Sequence, residues 1–76
     1  VEEEFRLPPT YKEVAELIRA EIDKGTWPYG TQLPSASELS DMYGTSITTI
    51  HRAMKILIDA GDVIGRQGRG RFVTRR

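Results

Sequence analysis

Gly44-Thr45-Ser46-Ile47-Thr48-Thr49-Ile50-His51-Arg52-Ala53-Met54-Lys55-Ile56-Leu57-Ile58-Asp59-Ala60-Gly61, running on through Asp62-Val63-Ile64-Gly65-Arg66-Gln67-Gly68-Arg69-Gly70-Arg71-Phe72-Val73, decides the fold of this 76-residue chain. Ser46 is placed to cap a helix over about residues 47–60, and Gly61 to terminate it. Ile50, Ala53, Met54 and Leu57 fall on one face of that helix. Thr48, His51, Arg52 and Lys55 fall on the other, where no acid occurs until Asp59. Residues 63–67, 68–70 and 71–73 then read as strand, tip and strand, with glycines where positive φ is wanted. The segment is a helix with a basic polar face followed by a glycine-tipped basic hairpin, a pairing suited to a nucleic-acid groove.

Working upstream, Ser35-Ala36-Ser37-Glu38 carries the capping-box pattern and opens a short helix to about Tyr43, with Leu39 and Met42/Tyr43 expected inward and Gly44 as the stop. Leu39, Ser40, Tyr43, Gly44, Ile50 and Ala53 fit a helix-turn-helix: apolar anchors, a small residue where the helices cross, and a glycine in the turn. Thr10-Tyr11-Lys12-Glu13 is a second capping box. Behind it Tyr11, Val14, Ala15, Ile18 and Ile22, with Leu17 alongside, recur at helical spacing until Gly25. Thr26 to Thr31, holding Trp27-Pro28-Tyr29-Gly30, reads as a turn, and Gln32-Leu33 as a very short strand. Residues 1–9 read as a flexible N-terminal segment in which Phe5 and Leu7 dock on the core. The expected fold class is mainly α with a small β-hairpin: a winged helix-turn-helix of three helices plus a two-stranded wing, spanning residues 10–74.

The charge pattern sharpens the expectation. Eleven Lys and Arg balance eleven Asp and Glu, for a formal net charge of zero. Residues 1–43 nevertheless hold nine acids against four bases, whereas residues 44–76 hold seven bases against two acids, so the halves carry −5 and +5. A local basic field steers and holds a phosphate backbone whatever the total charge. Arg75 and Arg76 read as a solvated tail.

Size and composition exclude several function classes. A chain this short has one small core and little room for a deep substrate cavity. It has no cysteine, so neither disulfides nor thiolate metal ligands are available, and its one histidine has no second His or Cys to share a metal. No cofactor and no metal site are expected. Ser46 and His51 lie five apart on one helix without an orienting acid, which leaves no acid–base pair for an enzyme. Gly68-Arg69-Gly70 is a poor nucleotide cradle because no helix follows it. No apolar run approaches a membrane span and no signal peptide is visible, so a soluble cytoplasmic protein, associated with the nucleoid, is expected. The start at Val1 suggests a processed product or an excised domain.

The spacing Tyr11…Ile22…Gly25…Gly30-Thr31-Gln32-Leu33-Pro34-Ser35…Glu38-Leu39…Gly44-Thr45-Ser46…Thr49-Ile50…Ala53…Leu57…Gly61…Arg66-Gln67-Gly68-Arg69-Gly70…Phe72-Val73 closely resembles the DNA-binding domain of GntR-type bacterial transcriptional regulators. The resemblance covers residues 8–74. It implies a dimeric repressor that sets its recognition helix, about residues 47–60, in the major groove of an inverted-repeat operator, and its wing tip, residues 67–70, at the minor groove. It further implies that residues 75–76 begin a linker to an effector domain through which the full-length protein forms a homodimer. Ser46, Thr48 and Thr49 match the family's hydroxyl-bearing contact positions, and Gln67-Gly68 its minor-groove tip. The family usually has Arg where this chain has Ser37, Ile47 and His51. Those departures point to an operator with different core bases, because Arg is the commonest bidentate reader of guanine.

Ile47 is suited to a thymine methyl, His51 to a single bond at a base or phosphate, and Arg52 and Lys55 to phosphates. With Ser35 and the wing arginines Arg66, Arg69 and Arg71, these residues make up the expected DNA-binding set. Several of them have structural duties as well: Ser46 as an N-cap, Thr49 as half-buried packing, and Gly68 and Gly70 as turn glycines. The alternative function is a winged-helix protein-interaction or RNA-binding module, since a fold alone does not fix its ligand.

Overall fold

The computed structural model describes residues 7–75. Three helices, α1 (Tyr11–Lys24), α2 (Ala36–Tyr43) and α3 (Ile47–Asp59), precede an antiparallel hairpin of β1 (Val63–Arg66) and β2 (Gly70–Val73). Val63 pairs with Val73 and Arg66 with Gly70, so residues 67–69 form the tip, and Gly70, expected in the tip, is paired into β2 instead. The architecture is the expected winged helix-turn-helix. Phe5 lies outside the described residues, as do Arg76 and most of the N-terminal segment.

Each helix starts where its cap places it. The Thr10 side chain accepts from the Glu13 amide while the Glu13 carboxylate accepts from the Thr10 amide at 2.8 Å, and Ser35 and Glu38 repeat the exchange. Both boxes satisfy amides that a helix start would otherwise leave unpaired. Between α2 and α3, Gly44 adopts φ 63°, a left-handed turn that L side chains rarely enter, and its amide returns to the Ser40 carbonyl. That single residue lets the two helices cross at so short a connection.

One core joins the elements. Val14, Ala15, Ile18 and Ile22 of α1, Leu39 of α2, and Ile50, Ala53, Met54 and Leu57 of α3 are buried together with Trp27, Leu33, Val63 and Val73. Eight of these are the apolar positions that helical periodicity picks out on α1 and α3, with Ala15 and Ala53 letting backbones approach.

Gln32 bridges to Phe72, as the expected short strand requires. Hydrogen bonds from the Gly30 amide to the Val73 carbonyl, from the Val73 amide to Thr31 and from the Leu33 amide to Arg71 hold residues 30–33 along the free edge of β2. The edge of the wing nearer the helices is therefore closed, and the strand joining α1 to α2 supports it.

Three further expectations are corrected. Met42 is not inward but exposed, whereas Tyr43 is half-buried. At about 100° per residue, Leu39, Ser40, Tyr43 and Ala36 centre the packed stripe of α2 roughly 110° away from Met42. Leu7 does not dock on the core: it is 80% exposed and lines a surface groove with Pro9, Glu13, Glu16 and Leu17, on the outward side of α1. Arg75 is not a solvated tail. Its Nε donates to Asp23 at 2.7 Å and its Nη1 to Asp62 at 3.1 Å, and these two carboxylates push its pKa above the ordinary arginine value.

Asp62 itself is buried and also accepts from Arg19 Nε at 2.8 Å, while its carbonyl accepts from the Thr74 and Arg75 amides. A carboxylate this deep is tolerable because two guanidiniums meet it; removing either would leave a poorly compensated buried charge.

Candidate nucleic-acid interface

The interface is built on α3. Ser46 opens the helix by accepting from the Thr49 amide at 3.1 Å and gives its own proton to the Thr49 hydroxyl at 3.0 Å. The expected capping role of Ser46 is thus present, and Thr49 is half-buried beside it. Burial of Ile50, Ala53, Met54 and Leu57 turns Ile47, Thr48, His51, Arg52 and Lys55 outward, all of them exposed. No acid lies in the first turn of α3. Its free amides carry the partial positive charge of a helix start toward the same side.

Two of the cations on this face have partners. The guanidinium of Arg52 sits over the Tyr11 ring, 4.7 Å from its centroid, which holds an exposed arginine against α1. Lys55 pairs with Asp59 one turn on, at 3.4 Å. Both side chains are well exposed, and such a pair is worth little in water, so the ammonium can exchange Asp59 for another anion at small cost.

The wing supplies the remaining charge. Arg66, Gln67, Gly68 and Arg69 are exposed around the tip, and Gly68 takes φ 76° as the turn demands. Gly70 is needed twice: it has φ 104°, and a Cβ there would stand 2.5 Å from Gln32 Nε2. Gln32 uses that nitrogen to donate to the Arg69 carbonyl at 2.8 Å, fastening the base of the tip to the strand beside it. Gly65, by contrast, lies within β1 and has no positive φ. Among the described residues Arg66, Arg69 and Arg71 form no ion pair with a carboxylate.

A polar contact joins helix and wing above their shared core. Arg71 Nη2 lies 2.9 Å from His51 Nδ1, joining residues twenty positions apart. Ser35 and Glu38 line an open cleft with Gly70 and Arg71, which brings the start of α2 to the same side as β2. Ser35 Oγ accepts there from the Glu38 amide, and Ser37 is exposed one residue into α2. The residues singled out from the sequence therefore fall on α3, the start of α2 and the wing. Sequence reasoning missed Tyr11, Gln32 and the His51–Arg71 contact as parts of the site. Only Gln32 carried a local signal, its place in the short strand before α2.

Comparisons with known proteins agree with this geometry. A family model described as bacterial regulatory proteins, gntR family, matches residues 10–73. The histidine utilization repressor of Pseudomonas putida is 42% identical over 66 residues, covering 87% of this chain and 27% of that protein. A GntR family transcriptional regulator from Listeria monocytogenes superposes with a TM-score of 0.83 at 32% identity, over 90% of this chain and 60% of that one. The DNA-binding domain of AraR, solved in complex with operator ORX1, gives 0.81 at 35% identity, over 93% of this chain and 84% of that one. The chain spans about a quarter of the length of the curated relatives it matches. Carrying the family's pattern from the cap of α1 to the end of the wing, the chain belongs to the gntR family of bacterial regulatory proteins.

Proposed function

We propose that residues 10–74 form the sequence-specific DNA-binding domain of a transcriptional repressor, with α3 in the major groove and the wing tip, residues 67–69, at the minor groove of an inverted-repeat operator. The observation that carries this reading is the exposure of Thr48, His51, Arg52 and Lys55 on α3 and of Arg66 and Arg69 on the wing, with Arg71 joining the two elements at His51, on a fold that matches AraR bound to its operator. In this reading Ser35, Ser37, Ser46, Arg52, Lys55, Arg66 and Arg69 hold phosphates, while Ile47, Thr48, Thr49 and His51 face base edges with Arg71 beside His51, and Gln67 and Gly68 enter the minor groove. Two such domains reach the two half-sites when a further domain of the full-length protein pairs them, in the bacterial cytoplasm at the nucleoid. Family membership makes the chain a regulatory protein rather than an enzyme.

The test is selection of bound duplexes from a random pool, followed by affinity measurements across salt concentrations. An enriched motif is expected, with log affinity falling against log salt by several units, since each neutralised phosphate contributes about −0.9 to the slope. Arg69→Ala should weaken all duplexes alike and reduce the slope by about 1. Enrichment of no motif, or a flat salt dependence, would refute the proposal.

A further inference from the structure

We infer that His51 and Arg71 form one composite reading head, in which the wing arginine fixes the tautomer of the helix histidine and so decides which base atoms that histidine accepts as partners. The inference rests on the DNA-binding reading above and adds the chemistry of one base contact to it.

A guanidinium is always charged and has no lone pair to offer, so in the 2.9 Å contact Arg71 Nη2 is the donor and His51 Nδ1 the acceptor. An imidazole whose Nδ1 holds a lone pair is neutral and carries its proton on Nε2. A doubly protonated ring would set two donors and two positive charges against each other. With Nδ1 occupied by the wing, Nε2–H is the ring's remaining polar group, and His51 is exposed on the outward face of α3.

The major groove offers acceptors at guanine N7 and O6, adenine N7 and thymine O4, and donors at cytosine N4 and adenine N6. A fixed Nε2–H matches the acceptors and is rejected by the amino groups. An unconstrained imidazole would be less selective, because its other tautomer presents a lone pair at Nε2. Arg71 is then a positioning residue: it shapes base preference through His51, and its own charge stays partly on the protein side of the interface. This makes the helix and the wing dependent on each other, so that displacing the wing alters what the helix reads.

The experiment combines selection with spectroscopy on the 76-residue chain. Because His51 is the only histidine, its ring nitrogens are observable without overlap. Long-range 1H–15N spectra should show the Nε2–H form alone in the parent chain and a mixture of tautomers in Arg71→Met. In the selected motif, one base position should lose its preference in His51→Ala. Arg71→Met should lose preference at that same position, and the double variant no more than either single one.

At that position, discrimination by one hydrogen bond is expected to be roughly tenfold or less. Identical tautomer populations in the parent and in Arg71→Met would overturn the inference, as would base preference surviving Arg71→Met while affinity falls on every duplex. If the parent enriches no motif at all, the DNA-binding reading itself fails and this inference with it. Selection in the parent chain thus separates the two failures.

Discussion

The beginnings of α1 and α2 differ from the beginning of α3 in one chemical respect. The first two carry a carboxylate at the third helical position, Glu13 and Glu38, and close a reciprocal capping box. The third has Thr49 at that position, with no acid in its first turn, and is capped by the Ser46 hydroxyl alone. A carboxylate there would complement the helix dipole and stabilise the start by about 0.3–1 kcal/mol. Its absence leaves that stabilisation unused at the helix that, in the proposed function, enters the major groove. Two starts set a carboxylate against their own free amides, and one leaves those amides open to an outside anion.

Substitutions can break that contrast. Thr49→Glu would give α3 the box that α1 and α2 already have. We expect thermal stability equal to or above the parent's, with DNA affinity down by more than a hundredfold, since like charges brought together at an interface cost several kcal/mol. A melting curve and a binding titration on the same sample check both halves of the statement, and retained affinity would show that the start of α3 does not approach the backbone. Next in size, Ser46→Ala and Thr10→Ala should each cost about 1 kcal/mol of unfolding free energy by chemical denaturation. Only Ser46→Ala should also weaken duplex binding when measured well below the unfolding transition. Smallest of all, Glu13→Gln should lose a few tenths of a kcal/mol through its weaker interaction with the helix start and leave the salt dependence of binding unchanged.

Local chemistry explains what the sequence made legible. Thr10, Ser35, Ser46, Gly25, Gly44 and Gly61 are signals read within four residues of the boundary they set, and all three helices begin and end accordingly. The stripe of α3 was legible for the same reason: alternation of apolar and polar residues at helical spacing is a local property. Side-chain pairing across the fold is not. Arg19 and Asp62 are 43 positions apart, Arg75 and Asp23 are 52 apart, and neither pair repeats with any period.

A count of charges by halves therefore credited Arg75 to the basic surface, although two acids engage it. The same count missed that Lys55 already has a partner in Asp59. The uncommitted positive charge is narrower than +5 suggests and concentrates on Arg66, Arg69 and Arg71 of the wing. Met42 illustrates another limit, because in an eight-residue helix two adjacent stripes are both plausible until the partner helix selects one.

The anchorage of Asp62 has a mechanical side. Its side chain holds Arg19 of α1 and Arg75, and its carbonyl holds the Thr74 and Arg75 amides, so the strand leaving the wing is tied to the first helix immediately after Val73. Tension applied to the chain at Thr74 and Arg75 would be shared with Arg19 and Asp23 of α1 through that tie. The hairpin is in this sense clamped to α1 on both sides of its base, through Asp62 before β1 and through Arg75 after β2.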